Sequence, residues 1–180
     1  KVRAHLVDMI ERAGKENNLK YLIARSADFY GPENTNSALV ETVFKPLSNG
    51  SKANWLGKPG KKHTFTFTPD AGKATALLGN TPEAFGETWH VPTVAPKTGE
   101  EWVKLIAKAM GQTPGFRPVP KWLVRVMGLF NPIMRESVEM MYQFESDYVF
   151  SSQKFEKRFG MAPTPAEVAI NMIVTKDFKG

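Results

Sequence analysis

Few side chains here are equipped for chemistry, and their spacing says more than their number. The three histidines, His5, His63 and His90, stand far apart with no His-x-x-x-His or Glu-x-x-x-His partner, so no zinc centre is expected. The chain has no cysteine, which excludes disulfides, thiolate-held metals and a thiol nucleophile. His63 differs from the other two. It heads the run His63-Thr64-Phe65-Thr66-Phe67-Thr68, whose alternation puts it on the Phe65/Phe67 side of a strand with two unlike faces. That makes His63 a candidate to line a site. Just before it, Gly57-Lys58-Pro59-Gly60-Lys61-Lys62 gathers lysines that read either as a solvated basic turn or as a cluster facing a substrate phosphate. Neither Gly-x-Gly-x-x-Gly nor Gly-x-x-x-x-Gly-Lys-[Ser/Thr] occurs, so no phosphate-cradling loop lies within these residues.

The elements that must position these groups are those of a globular chain. Of its 180 residues 42% are hydrophobic and 23% charged, too apolar a mixture for a disordered segment. The net charge of +6 admits an anionic partner. However, the basic residues are interleaved with Asp and Glu, and no RNA-binding aromatic signature is present, so nucleic acid is not expected. No apolar run approaches the ~20 residues of a membrane helix, and no membrane partner is expected. The absence of cysteine fits a reducing compartment, and a cytoplasmic location is expected.

Residues 1–16 carry Val2, Leu6, Met9, Ile10 and Ala13 on one helical stripe, ended by Asn17-Asn18. The apolar run Tyr21-Leu22-Ile23-Ala24 follows at once and reads as a buried parallel strand, so the two form an α/β unit. A helix carrying Leu39, Val40, Val43 and Phe44 should stop at Pro46, and Ala53-Asn54-Trp55-Leu56 reads as a strand. Thr68-Pro69-Asp70 opens a helix with proline at its first position. Trp89-His90-Val91 reads as another strand. Thr98-Gly99-Glu100-Glu101 and Thr164-Pro165-Ala166-Glu167 both fit a capping box. Pro118-Val119-Pro120 reads as an extended spacer, and residues 121–130 and 132–145 as two helices divided by Asn131-Pro132. The nearly all-apolar stretch Trp122–Phe130 is expected to be a buried helix; a dimer face or a membrane-surface contact are the alternatives. Met134, Met140 and Met141 are expected in the core. Only two parallel strands are convincing, too few for a complete doubly wound sheet. Together with the absent starting Met, this predicts a chain that begins within a fold.

One segment is more specific than the rest. Leu22-Ile23-Ala24-Arg25-Ser26-Ala27-Asp28-Phe29-Tyr30-Gly31-Pro32 resembles the strand followed by Arg-Pro-x-Asn-Val-Tyr-Gly-Pro of the extended short-chain dehydrogenase/reductase family, which holds the NAD(P)-dependent epimerases and dehydratases. Asp70-Ala71-Gly72-Lys73-Ala74 is similar to that family's Tyr-x-x-Val-x-Asp-x-Ala step. Trp89-His90-Val91-Pro92 resembles its last sheet strand, and Phe159-Gly160-Met161-Ala162-Pro163-Thr164 its closing step. The likeness spans the chain. It implies an α/β fold: the C-terminal part of a Rossmann-type doubly wound parallel sheet plus a mostly helical substrate-binding subdomain. Residues 1–32 and about 69–111 would complete the nucleotide-binding sheet, with about 33–68 and 112–180 forming the subdomain. The Gly-rich half would lie ahead of these residues.

The same resemblance implies a hydride-transfer enzyme of epimerase, dehydratase or reductase type, using NAD or NADP on a sugar-nucleotide or related hydroxyl or carbonyl compound. A tyrosinate takes the hydroxyl proton in that family, with a lysine four residues later lowering its pKa. Counting back from Arg25 puts that lysine at Lys1, which otherwise reads as the helix's first solvated residue. Lys1, Ser26, Ala27, Asp28 and Phe29 are the implied cofactor-binding residues, and Asp28, Trp55, Lys62 and His63 the substrate-binding ones. Two departures concern the substrate. Asp28 replaces an Asn that touches the nucleotide-sugar, and a carboxylate there repels a pyrophosphate unless a lysine neutralises it. Lys61, Lys62 and His63 stand where a phosphate-binding arginine is usual. A non-catalytic NAD(P)-binding relative is the alternative function. The 180 residues alone are expected to be inactive, and pairing of two copies through the helix at 1–16 is expected.

Overall fold

The apolar run after the first helix forms a short parallel strand, but not the buried one expected: Ile23 is half-buried and Ala24 and Arg25 are exposed, because among the described residues the strand pairs only with the one at Thr88–His90. The computed structural model describes residues 2–130 and 132–179, so Lys1 and the Asn131 cap lie outside the described residues. Its helices are α1 (Val2–Asn17), α2 (Lys45–Ser48), α3 (Thr68–Gly79), α4 (Gly99–Ala109), α5 (Lys121–Met127), α6 (Pro132–Met140), α7 (Tyr142–Glu145), α8 (Gln153–Phe159) and α9 (Ala166–Ile173). Its strands are β1 (Ile23–Arg25), β2 (Asp28–Tyr30), β3 (Ala53–Leu56), β4 (Lys62–His63), β5 (Phe65–Phe67), β6 (Thr88–His90), β7 (Lys97–Thr98) and β8 (Phe116–Val119).

The strands pair across long stretches of sequence. β1 lies parallel to β6 with Ile23 opposite Thr88 and Arg25 opposite His90, and β2 lies parallel to β5 with Asp28 opposite Phe65. β3 pairs in parallel with β8, while β4 and β7 are antiparallel. Parallel neighbours need crossover connections, and α3 lies within the one between β1 and β6. Two apolar clusters result. One gathers Tyr30, Phe44, Trp55, Phe65, Trp102 and Ile170 around β2, β3 and β5. The other gathers Leu78, Trp89, Val91 and Phe155 beneath β1 and β6.

Several expectations hold. Asn17 ends α1, proline opens α3, and Thr98 and Glu101 form the reciprocal capping box at α4. Others need correction. The alternating run does not have two unlike faces: Thr64 and Thr66 are as buried as Phe65 and Phe67, and hydrogen bonds satisfy their hydroxyls. Helix does not stop at Pro46, since a π-helical turn at Val40–Phe44 passes straight into α2, whose first turn accepts the proline. The supposed spacer at Pro118 is the strand β8, edge pairing with β3 being compatible with proline. The stretch Trp122–Phe130 is not buried. Trp122, Val126, Leu129 and Phe130 are exposed, Phe130 to 88%, and Val124 is the one apolar side chain of the stretch that is fully buried. The apolar stripe of α1 is likewise exposed at Val2, Leu6 and Met9. Among the described residues no helix is long and apolar enough to cross a membrane.

The second capping box is absent, and its replacement is informative. Pro165 caps α9, and Thr164 turns to Asp70 in the first turn of α3, 94 residues away. The Thr164 N–H donates to Asp70 Oδ2 at 2.6 Å and its hydroxyl to Oδ1 at 2.8 Å. Asp70 is buried, so this carboxylate clamps the end of the chain to the start of α3. Asp70→Ala leaves two donors at Thr164 unpartnered and is expected to cost about 2–3 kcal/mol in urea unfolding, with Asp70→Asn losing less. Equal stability of wild type and Asp70→Ala would show that the clamp contributes nothing.

Candidate active-site crevice

The polypeptide leaves β1 at Arg25, turns through Ser26 and Ala27, and enters β2 at Asp28. This switch is fixed from below: the Ala27 N–H donates to Thr66 Oγ1 at 2.9 Å, and Thr66 shares a 2.8 Å hydrogen bond with Thr93 Oγ1. A buried threonine on β5 thus holds the turn. Above it lies a crevice of about 770 Å³, lined by Arg25–Phe29, by His90, Tyr148 and Phe150, and by Ala4 and Val7 of α1. A second cavity of about 370 Å³ lies against the same wall, with Leu56, Met141 and Phe144 on its apolar side. Asp28, Phe29, Met140 and Gln143 line both.

His63 stands behind that shared wall, 1% exposed. Its Nε2 lies 2.9 Å from Asp28 Oδ2 and its Nδ1 3.2 Å from the Gln143 carbonyl oxygen. Each ring nitrogen therefore lies within hydrogen-bond distance of an oxygen, one on a side chain and one on the main chain. The ring stacks on Phe144 at 4.2 Å and tilts against Phe65 and Tyr148. Its backbone is held as firmly, with the His63 carbonyl accepting from Trp102 Nε1 at 3.0 Å. The segment 147–150 runs alongside: the Tyr148 N–H donates to the Lys62 carbonyl and Thr64 Oγ1 to the Tyr148 carbonyl. Gly57 closes the arrangement. Its φ of +65° suits glycine, and a Cβ there would meet the Phe144 carbonyl oxygen at 2.5 Å.

Two further groups complete the wall. Gln143 is 8% exposed and its Oε1 has no hydrogen-bond partner among the described residues, whereas its amide nitrogen donates to Tyr142 Oη. Burial, then the Asp28 carboxylate and the Tyr142 phenol, raise the Tyr148 hydroxyl above the ordinary phenol range. Sequence reasoning singled out neither residue. Nothing in the local pattern of Gln143 or Tyr148 marks them, because only the path of the chain through α7 and the segment after it brings them beside Asp28.

Solved structures share this arrangement of elements. A UDP-glucose 4-epimerase of Thermus thermophilus in complex with NAD superposes with a TM-score of 0.73 at 18% identity, over 98% of this chain and 52% of its own. A dTDP-glucose 4,6-dehydratase of Bacillus anthracis in complex with NAD gives 0.72 at 18% identity, over 96% and 50%. A UDP-glucose 4-epimerase of Thermotoga maritima with UDP-glucose gives 0.71 at 17% identity, over 95% and 50%. These structures are extended short-chain dehydrogenase/reductases, and the chain shares the fold of about half of each. No family model matches the chain's sequence, and neither does any curated protein. The chain spans about half the length of the solved structures it matches.

Within this fold the expected site residues fall into three groups. Ser26, Ala27, Asp28 and Phe29 line the crevice together, and His63 joins them through Asp28. Trp55 and Lys62 do not join them. Trp55 is a core side chain with its ring edge-on to Phe65 and Phe144, and Lys62 is exposed with its N–H on Asp147 Oδ1. The group hydrogen-bonded to Asp28 is the buried His63, placed by β4. Lys1 lies outside the described residues, as does the Met134 side chain; Met141 is buried and Met140 is exposed. The crevice has the size of a small-ligand site, about 300–1,000 Å³. It opens where β1 ends, beside the exposed ring of Phe29 and the small side chains Ala24 and Ala27, with Arg25 and Ser26 as polar neighbours. These residues fit a nicotinamide ring in size and polarity.

The geometry makes two measurable claims. Asp28→Ala strands a buried imidazole beside an unfilled position, and is expected to cost roughly 2 kcal/mol in denaturant unfolding. Stability unchanged by it would mean that His63 has no need of the carboxylate. The raised Tyr148 favours the folded state below the ordinary phenol value of about 10, a contribution lost as pH rises through its higher folded-state value. In an ultraviolet tyrosinate titration, Tyr148→Phe should delete a late-titrating step; loss of an early one would contradict the burial argument.

Proposed function

We propose that this chain forms the substrate side of an NAD(P)-dependent hydride-transfer enzyme of epimerase, dehydratase or reductase type. Its substrate is a sugar-nucleotide or related hydroxyl or carbonyl compound. The observation supporting this most is the crevice at the β1–β2 switch, with an ionisable pair on its wall, in a fold shared with NAD-bound epimerase and dehydratase structures. Open α/β sheets bind ligands at the carboxyl ends of their strands, and this crevice lies at such an end. The dinucleotide, when bound, supplies the hydride acceptor.

The chain's own residues divide the remaining work. Ser26, Ala27 and Phe29 bound the ring's position from one side, while the Thr66–Thr93 pair beneath Ala27 keeps that wall from shifting. Asp28 accepts a hydrogen bond from a substrate hydroxyl and orients it toward the crevice. Lys1 is the lysine that holds a catalytic phenol ionised, the phenol belonging to a tyrosine four residues before it in the encoded protein.

Titrating the encoded protein with NADH and NADPH, followed by nicotinamide fluorescence, tests this reading. Saturable binding is expected with one of them, and Ala24→Trp, which fills the exposed crevice, should weaken it about tenfold. No fluorescence change with either nucleotide overturns the reading. Saturable binding by a protein whose coding sequence lacks Tyr-x-x-x ahead of Lys1 overturns only its catalytic part and leaves a dinucleotide-binding sensor.

A further inference from the structure

Trp122, Arg125, Val126 and Leu129 follow the i, i+3, i+4, i+7 spacing of one helical face, and all four are exposed. Phe130 extends that face past the end of α5. The chain is not slack there. The Leu129 N–H donates to the Val126 carbonyl and the Phe130 N–H to the Met127 carbonyl. A Cβ on the buried Gly128 would meet Arg135 Cα of α6 at 2.9 Å. Close packing of α5 on α6 therefore holds the apolar side chains outward. Contiguous apolar patches are uncommon on proteins that stay alone in water, and they mark a partner surface.

The surrounding charge decides between partners. From Glu101 to Glu136 the sequence has no intervening Asp or Glu, while Arg117, Lys121, Arg125 and Arg135 flank or interrupt the apolar run. None of these four forms an ion pair among the described residues. Glu136 and Glu139 come only past Arg135, on the part of α6 whose Ser137 and Met140 reach the smaller cavity. A second copy docked through the same face would set Arg125 against its own counterpart, a like-charge contact. An anionic lipid surface accepts both kinds of side chain at once. Rings and aliphatic groups enter the acyl boundary, while arginine and lysine heads stay at the phosphates.

We propose that the α5–α6 corner, with Trp122, Leu129 and Phe130 at its apolar centre, is a contact surface for an anionic phospholipid bilayer. The corner lies on the bilayer and does not cross it. This contact is independent of the chemistry assigned to the crevice.

Trp55, Trp89 and Trp102 are buried, so Trp122, 64% exposed, is the tryptophan whose emission reports on this face. The encoded protein and this chain are each titrated with vesicles of phosphatidylcholine alone or of phosphatidylcholine and phosphatidylglycerol in equal amounts. The mixed vesicles are expected to shift Trp122 emission to the blue, shield it from acrylamide and co-sediment the protein. Binding to them should be at least about tenfold tighter than to phosphatidylcholine alone. Phe130→Asp, at an exposed position, should weaken co-sedimentation about tenfold with the circular dichroism spectrum unchanged. High salt should weaken wild-type binding as well, which keeps the test open if the variant fails to fold. The proposal is overturned if the encoded protein does not co-sediment with mixed vesicles, if both vesicles bind equally, or if a folded Phe130→Asp binds like wild type. Self-association without vesicles that Phe130→Asp abolishes would assign the face to a second copy and overturn it too.

Discussion

A histidine ring sealed from solvent, between a carboxylate and a main-chain carbonyl, ties three stretches of chain together. His63 comes from β4, Asp28 from β2 and the Gln143 carbonyl from α7. The ring cannot leave without leaving its own nitrogens and the oxygens they face unpartnered, so the positions of the three segments are coupled. Both cavities inherit their shape from that constraint, since Asp28 and Gln143 form the wall between them. The aromatic layer around the ring, Phe65, Phe144 and Tyr148, excludes the water that would otherwise compete for its hydrogen bonds.

The rest of the structure supports this point from two sides. Below, Thr64 and Thr66 stand where a buried strand would normally carry apolar side chains. Their hydroxyls reach Ala27, Thr93 and Tyr148, so a polar layer inside the core sets the height of the crevice floor. Burying such groups is tolerable because each is hydrogen-bonded. Farther out, the Asp70–Thr164 clamp ties the end of the chain to α3, and Ser152 accepts from the Thr93 N–H, joining the segment before α8 to the same layer. Hydrogen bonds over long sequence separations, more than apolar contact, fix where the crevice wall stands.

The apolar surfaces behave differently. The stripe of α1 and the cluster Trp122, Leu129 and Phe130 remain exposed, although composition alone favours burying them. Helical periodicity on α1 is readable from residue spacing, but periodicity identifies a face without naming what covers it. The stretch at 122–130 reads as buried because it is apolar nearly all round. In the structure the neighbouring elements α5 and α6 pack on one another and leave most of it outside.

Residue order determined the α/β unit at the start, the proline opening of α3, the Thr98–Glu101 capping box and the likeness to a short-chain dehydrogenase/reductase, because each is a short-range pattern of spacing or turn chemistry. It also singled out Asp28 and His63 as residues of a site. What it did not determine was that they face each other. Thirty-five positions separate them, and their meeting depends on the parallel register that sets Asp28 against Phe65. Packing on both sides of β5 buried the threonines that alternation sets on a second, unlike face, and the chain's path through β4 left Lys62 exposed. Tertiary structure alone brought Gln143 and Tyr148 to the wall. Local pattern encodes faces and caps, whereas which faces meet is settled by packing and hydrogen bonding among segments distant along the chain.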